Sequence, residues 1–431
     1  MINLETIIDM ERFVKAHFTL LAGVVLTVGS SLSGRAAVVP VAPADGEVFQ
    51  LLPEEQGKVL AGKTRVERQQ VLKGLNGLAT RNSWRRQRPL VLKRKTTAGE
   101  DGPWRIRLAE KSDLSDAREL WLEKDWAKKG AKDASGEQAW SYEVPFANLD
   151  LGKTYYWQVW SNVSCPGHDC GFTYPDTCKC GRAKHGNISS VARFATSAEP
   201  PRWIELEGKT KNVRDLGGWK AAGGRRVRTG MAFRGQGLNA NSISGLDRGR
   251  IRLTVEDVAY MTGTLGIKTD LDLRGSKETG RLDASPLGQS VRLVKRATTS
   301  PYYSGMFRTS GKKTMAENFR LFCDRKNYPI YFHCIGGADR TGSLAYVLNG
   351  VLGVEKEDLE RDYESTFYNE GDIPGVEDPK HGRGTQHFDA GFARYGKPGD
   401  ALRRRIELYL LDCGVTEEEI AAFRSIMLES P

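Results

Sequence analysis

After Leu32 the sequence has no apolar run approaching the about 20 residues that a helix needs to cross a bilayer, so no later transmembrane helix is expected. It has no internal repeat, which excludes an array of stacked units. Aromatic residues are missing where nucleic-acid binding would need them. Between Thr64 and Lys95 ten Lys/Arg stand against one Glu, yet Trp84 is the sole aromatic residue of that stripe. Without stacking side chains among the charges it makes no single-strand platform, and no nucleic-acid partner is expected. The stripe reads as a solvated surface, with a lipid, polyanion or cell-envelope contact as the alternative. Cysteine is sparse, at seven in 431 residues, and four of the seven are crowded into one loop.

Length and composition suit a multidomain globular protein. The 431 residues exceed one ordinary core, and 39% hydrophobic with 27% charged residues excludes a disordered chain. The formal net charge is +10, much of it in the stripe just described.

The N-terminal "ERFVKAHFTLLAGVVLTVGSSLSGRAA" carries Arg12 and Lys15, an apolar stretch from Phe18 to Leu32, and small residues at Gly34 and Ala36. That is the layout of a secretory signal, with cleavage expected near Ala36 or Ala37. Residues 1–37 therefore read as a signal peptide and the mature chain as secreted or periplasmic. The preceding "MINLETIID" is acidic for such a signal, which points to Met10 as the true start. An uncleaved N-terminal membrane anchor is the rival reading. In an exported protein the cluster Cys165, Cys170, Cys178 and Cys180 reads as two local disulfides. A structural zinc site with His168 or His185 is the alternative, although the spacing matches no common zinc-finger pattern. Either one staples a loop and is not a catalytic centre, and no catalytic metal or cofactor is expected.

From about residue 38 to 198 the pattern is β-rich. "RPLVLKRKT" and "WRIRLAEKS" alternate apolar and polar residues, and "TYYWQVWSN" and "SVARFATS" read as further strands. "VERQQVLKGLNGLA" looks helical and departs from a minimal sandwich. Leu149, six residues before Tyr155 and ahead of an alternating strand, resembles the tyrosine corner of fibronectin type III and immunoglobulin-like sandwiches. The expectation is an all-β, fibronectin-III-like sandwich over 38–198, then a stiff linker at Pro200–Pro201.

From 199 to 431 strands and helices alternate, as in an α/β layer fold. "LGIKTDLDLRG" and "YPIYFH" read as strands. "TGSLAYVLNGVLGV" places Leu344, Leu348, Val351 and Leu352 on one helical face, and Thr416 with Glu419 has capping-box spacing for a final helix. Between strand and helix lies "HCIGGADR", with Cys334 at the strand end and Arg340 six positions on. A loop entering a helix turns several backbone N–H groups toward one point, and the helix dipole adds positive potential. Gly336 and Gly337 let such a loop curl into an anion-binding nest. An arginine at the helix start grips two phosphate oxygens through its planar fork. A free thiol of pKa ~8.5 is only about 3% ionised at pH 7, but positive potential lowers that pKa and creates a nucleophile. Attack on phosphorus without a metal is the chemistry this arrangement suits.

The C-x5-R-[ST] pattern of Cys334, Arg340 and Thr341 is that of cysteine-dependent phosphatases, and "HCIGGADRTG" resembles the "HCxxGKDRTG" loop of a bacterial tyrosine and dual-specificity phosphatase family. "KNVRDLGGW", "MAFRGQGL" and "LGIKTDLDLRGSKE" are similar to its other blocks, in the same order, over residues 203–431. The resemblance implies an α/β cysteine-phosphatase fold and a phosphomonoesterase acting through a cysteinyl-phosphate. Cys334 would attack phosphorus. Arg340 and the backbone N–H groups of Ile335, Gly336, Gly337, Ala338, Asp339 and Arg340 would hold the equatorial oxygens. Thr341 would bond the sulfur, His333 would orient the loop, and Asp339 would protonate the leaving oxygen. Asp272, Arg274, Asn212, Arg214 and Asp215 would line or brace the site. One departure stands out: the family's lysine after the loop glycine is Ala338 here, which weakens the case for a lipid phosphate substrate.

The expected partner is a phosphorylated protein or a small phosphate monoester, with an envelope or glycan contact through the sandwich. Phosphoinositide or inositol-polyphosphate hydrolysis, and a phosphate-binding module with weak turnover, are the alternatives. The plainer readings are an internal ion pair for Asp272 and Arg274 and a structural role for Asp215. "HGRGTQHFD" reads as a solvated loop and not a metal site. Cys323 reads as buried at a helix end, or else as a reversible disulfide partner of Cys334.

Overall fold

The computed structural model describes residues 39–75, 87–96, 104–122, 128–132, 137–161, 188–239, 250–279, 282–298, 302–368, 373, 376 and 384–430. The signal-like stretch, the four clustered cysteines, Trp84 and His381 lie outside the described residues. Among the described residues no helix is long and apolar enough to cross a membrane. The chain forms two compact units. The first is Met1–Phe49, Leu90–Val144 and Lys153–Thr196; the second is Gln50–Pro89, Pro145–Gly152 and Ser197–Pro431.

The first unit contains β1 (Val39–Ala42), β2 (Glu47–Phe49), β3 (Leu90–Thr96), β4 (Trp104–Ala109), β5 (Arg118–Leu122), β6 (Lys128–Lys132), β7 (Gln138–Val144), β8 (Thr154–Ser161) and β9 (Ala192–Thr196). They make a four-stranded sheet in the order β1-β3-β7-β6 and a five-stranded sheet in the order β2-β9-β8-β4-β5. The alternation seen in the sequence decides the faces. In β4, Trp104, Ile106 and Leu108 are buried on one side, while Arg105 and Arg107 on the other flank Glu119 of β5. The sheets meet through Trp104 of β4 and Trp140 of β7, whose ring centroids are 4.9 Å apart. Arg94 of β3 lies 3.6 Å over the Trp104 ring.

The second unit is built on β10 (Arg214–Asp215), β11 (Ala232–Gln236), β12 (Thr269–Asp272), β13 (Arg292–Lys295) and β14 (Ile330–Cys334), in the order β10-β11-β14-β12-β13. All pairs are parallel except β10 with β11. The helices are α1 (Glu54–Ala61), α2 (Arg65–Gly74), α3 (Val255–Ala259), α4 (Tyr302–Gly305), α5 (Thr309–Phe322), α6 (Asp339–Leu352), α7 (Lys356–Ser365), α8 (Gln386–Phe392), α9 (Leu402–Asp412) and α10 (Glu417–Met427). A parallel sheet must be covered on both faces, and β14 is buried at all five positions. Ile330, Phe332 and Cys334 face the core formed with α5, α6, α9 and α10, while Tyr331 joins Val213, Phe233 and Ile267 on the reverse face. α6 runs through the first of these cores, with every residue from Arg340 to Leu352 buried, and ends at Gly353 in the left-handed region. The Thr416–Glu419 capping box opens α10 as expected.

The division differs from a single boundary near residue 198, because burial draws two earlier segments into the second unit. Val59 and Leu72 of α1 and α2 cluster with Tyr368 and Ile373. Asn148 exchanges two hydrogen bonds with the Glu205 backbone, donating to its carbonyl at 2.9 Å and accepting from its N–H at 2.7 Å. The basic stripe is also not wholly solvated: Arg68 is completely buried and Arg94 nearly so. Each lies against a partner that sequence spacing does not reveal, Glu364 for Arg68 and Trp104 for Arg94.

Gly311 of α5 shows how closely these helices approach. A Cβ there would stand 2.1 Å from the Gly305 carbonyl oxygen of α4. Gly311→Ala is expected to destabilise the second unit by about 1–3 kcal/mol, read from its denaturant midpoint. An unchanged midpoint would mean that α4 yields without cost.

Candidate active site

β14 delivers Cys334 to the carboxyl end of the sheet, paired with Gln236 of β11, while His333 pairs with Asp272 of β12. The chain then turns through Ile335–Ala338 into α6. Gly337 makes the turn possible at φ +71°, and a Cβ there would meet the Gly235 backbone at 2.5 Å. Two side chains tie the loop from outside: Asn212 donates Nδ2–H to the Gly336 carbonyl at 3.0 Å, and Arg234 donates Nη2–H to that of Gly337 at 2.9 Å. In a trans peptide C=O and N–H point opposite ways, so these ties turn the next N–H groups away from the clamps. No hydrogen bond is made by the N–H groups of Ile335, Gly336, Gly337 and Ala338 to other described residues. They lead into the N-terminus of α6, where unpaired donors and the helix dipole favour an anion.

The clamps are themselves anchored. Asp362 of α7 accepts from Arg214 Nε at 2.8 Å and from Arg234 Nη1 at 2.5 Å, and Arg214 donates to Asn212 Oδ1 at 2.5 Å. Burial works to raise the Asp362 pKa, but the two guanidinium charges outweigh it and the carboxyl sits below its ordinary range. Asn212, at φ +63°, takes the left-handed conformation that short amide side chains tolerate.

Arg340 lies beside the loop in a bidentate pair with Glu278, at 2.7 and 3.0 Å. Burial opposes the arginine's charge, yet the bond to Glu278 and the proximity of Cys334 and Asp339 raise its pKa above the usual value. Glu278 is shifted the other way: burial acts to raise it, and its bonds to Arg340 and the Gly275 N–H prevail and lower it. This lowered carboxyl keeps the pair intact above the ordinary carboxylate range, and the pair is lost as pH falls through the folded value.

His333 is enclosed by acceptors. Nε2 is 3.0 Å from Asp270 Oδ1, Nδ1 is 3.3 Å from the Cys334 carbonyl, and Ser285 donates to the other Asp270 oxygen at 2.7 Å. Asp272 and Arg274 form an internal ion pair at 2.7 Å, and Arg274 also reaches Asn239 Oδ1. For Asp272, burial acts upward and is overcome by His333 and Arg274, leaving the pKa lowered. Asp215 braces a turn, accepting from the N–H groups of Gly217 at 2.8 Å and Gly230 at 2.7 Å. Burial pushes its pKa up.

Several positions differ from the sequence reading. Asp339 opens α6, but its carboxylate accepts from the N–H groups of Tyr302 and Tyr303 at 3.0 and 3.2 Å. The Thr341 hydroxyl is buried and makes no hydrogen bond among the described residues, so it does not bond the sulfur here. Cys323 ends α5 beside the start of β14, with its thiol donating to the Phe319 carbonyl and pushed up to about 12 by burial. Cys323 and Cys334 are both free thiols in this structure, so the expected reversible disulfide is not formed. Among the described residues no cluster of His, Cys, Asp and Glu is arranged to hold a metal ion. Asp270, Glu278, Arg234 and Asp362 were not singled out by sequence. Asp270 and Glu278 lie in the block "LGIKTDLDLRGSKE" and Arg234 in "MAFRGQGL", so those three had a local signal; Asp362 had none.

Residues 204–373 match the model of the tyrosine phosphatase family. That segment includes the loop, both clamps, Glu278 and Asp362. Residues 204–373 are thus similar to the tyrosine phosphatase family. A tyrosine-protein phosphatase of Nostoc commune is 26% identical over 290 residues, covering 56% of this chain and 96% of the relative. A Cupriavidus necator protein provisionally named a tyrosine-protein phosphatase is 29% identical over 176 residues, covering 35% of this chain and 59% of the relative. The second unit is thus an α/β phosphatase domain, and the chain is a phosphatase hydrolase. Helices α1 and α2, whose residues cap one side of α7, lie outside the matched segment.

Two substitutions test this geometry. Gly337→Ala forces both a strained φ and a clash with Gly235, and is expected to lower kcat/KM at least about 100-fold on an aryl phosphate. Glu278→Gln keeps the shape but releases the fork of Arg340, and is expected to raise KM for a dianionic substrate more than it lowers kcat. Wild-type kinetics in either variant would contradict the assembly described.

Proposed function

We propose that this chain is a cysteine-dependent protein tyrosine phosphatase, working through a cysteinyl-phosphate. The observation that carries the reading is Cys334 at the end of the central parallel strand, under a loop of unpaired N–H groups and beside Arg340. In the first step the Cys334 thiolate forms the S–P bond as the ester P–O bond breaks. The equatorial oxygens rest on the loop N–H groups and on Arg340, which turns part of its fork from Glu278 to substrate. The leaving oxygen takes a proton from Asp339. For that, Asp339 exchanges its bonds to α4 for one to the departing group, and α4 gives way by the width of a hydrogen bond. In the second step water attacks phosphorus, Asp339 receives its proton, and the thiolate departs with inorganic phosphate.

Phosphotyrosine is favoured over lipid phosphates by Ala338, which offers no ammonium group where the resembled loop has lysine. Dual specificity, inositol-polyphosphate hydrolysis and phosphate binding with weak turnover remain the competing outcomes of substrate profiling. We further propose that the first unit is a fibronectin-III-like sandwich, supported by its strand orders and its Trp104–Trp140 contact. Its role would be attachment to an envelope or glycan partner. In this reading residues 1–37 direct export and are cleaved, or else anchor the chain.

Hydrolysis of p-nitrophenyl phosphate, with reductant and EDTA, tests the enzyme. The wild type is expected to turn over, Cys334→Ser to be inactive, and Asp339→Asn to be slowed about 100-fold or more. An unaffected Asp339→Asn would place the general acid elsewhere. An inert wild type would leave a phosphate-binding module.

A further inference from the structure

The clamps on the phosphate loop hang from α7, and α7 is gripped from its other side by a helix that the chain inserts between β2 and β3. Residues on α7 turn by about 100° each, so Glu360 and Glu364 share one face and Asp362 lies opposite them. On the Asp362 face stand Arg214, which reaches the Gly336 carbonyl through Asn212, and Arg234, which donates to the Gly337 carbonyl. On the other face stands Arg68 of α2, completely buried. Its Nε is 2.7 Å from Glu364 Oε2, and its Nη2 is 3.1 Å from Glu364 Oε1 and 3.2 Å from Glu360 Oε2. Its Nη1 reaches the Gly62 and Lys63 carbonyls at 3.3 and 3.4 Å, so all three guanidinium nitrogens are engaged. Arg65 adds a bond to Glu364 at 2.9 Å.

Local sequence aims Arg68 at this place. The Thr64–Glu67 capping box starts α2, which sets Arg68 one turn in. The apolar side of the pair is fixed separately, through Val59 and Leu72 against Tyr368 and Ile373. Gln69 accepts from the Ile373 N–H at 2.6 Å.

We propose that Arg68 is a positioning residue for the phosphate loop, acting through its ion network with α7 and not through the apolar contact of the helix pair. A buried ion network often adds little net stability compared with apolar packing, while removing one partner leaves charge uncompensated. Without Arg68, among the described residues Glu364 keeps only Arg65, Glu360 keeps only Thr385 and Lys356 at 3.8 Å, and the two glutamates one turn apart lose the guanidinium between them and repel. α7 moves to relieve them, and Asp362 moves with it. Both arginines that hold the loop lose their common anchor, and the loop N–H groups lose their convergence. Phosphate affinity falls, although Arg68 touches no substrate.

The inference rests on the phosphate-binding reading of the Cys334 loop, and the experiment separates the two. The full-length chain is titrated with inorganic phosphate by calorimetry under reducing conditions, beside kcat and KM on p-nitrophenyl phosphate. Arg68→Gln is expected to weaken phosphate binding about tenfold or more, with KM rising and kcat falling. Arg68→Lys, which keeps the charge without the fork, is expected to recover part of that loss. Leu72→Ala is expected to lower Tm while leaving phosphate binding unchanged. If Arg68→Gln fails to fold, Arg68→Lys decides: weaker phosphate binding than wild type supports the proposal, and unchanged binding overturns it. It is also overturned if Arg68→Gln binds phosphate as wild type does, or if Leu72→Ala weakens binding as much at equal loss of Tm. A wild type that binds phosphate without turnover defeats only the phosphatase reading. A wild type that binds none defeats both.

Discussion

The phosphate loop depends on one carboxylate. Asp362 is buried and receives two guanidinium groups, and those groups reach the loop at Asn212 and at the Gly337 carbonyl. A backbone nest is only as rigid as the groups that hold its carbonyls outward, since nothing inside an empty nest holds its N–H groups in place. Here the hold comes from behind the loop, from charge pairs inside the domain. An oxyanion site gains most when its donors are already oriented before charge develops, because no reorganisation is then needed during reaction. The Asp362 network supplies that orientation in this fold.

Charge is used differently on the two sides of the loop. Behind it, Asp362 with Arg214 and Arg234, and Asp272 with Arg274, are buried ion pairs. Beside Cys334, Arg340 is paired with the partly exposed Glu278, which can release part of the fork to a phosphate. His333 lies between the groups, with Asp270 on one ring nitrogen and the Cys334 carbonyl on the other. Its orientation is therefore set by β12, the neighbouring strand of the sheet, and not by the loop it precedes.

In the proposed mechanism Asp339 meets two conflicting demands. As the first residue of α6 it is close to any anion in the loop, yet its carboxylate caps the backbone of α4. A group that gives a proton to a leaving oxygen must exchange that cap for substrate. The four-residue α4 is the piece of structure on which the exchange falls, and Gly311 allows the following helix to approach it closely.

Much of this was legible in the sequence for a local reason. Period-two alternation fixed the strands around Trp104 and Tyr155. The Thr416–Glu419 spacing fixed the last helix, and the Cys334–Arg340 spacing with two glycines fixed a strand–loop–helix anion site. Each is a pattern over a few residues, where backbone geometry alone relates the side chains. The identity of every charge partner was a different matter. Arg68 read as part of a solvated stripe, and its partner Glu364 is 296 residues away. Arg340 is 62 residues from Glu278, and His333 is 63 from Asp270. Electrostatic pairing acts through space and leaves no periodic trace along the chain. The sequence by itself therefore determined where a strand, a glycine-containing loop and a helix would meet and which thiol would stand at that junction. Only the tertiary structure decided what holds that site in shape, because burial selects partners by proximity and not by spacing.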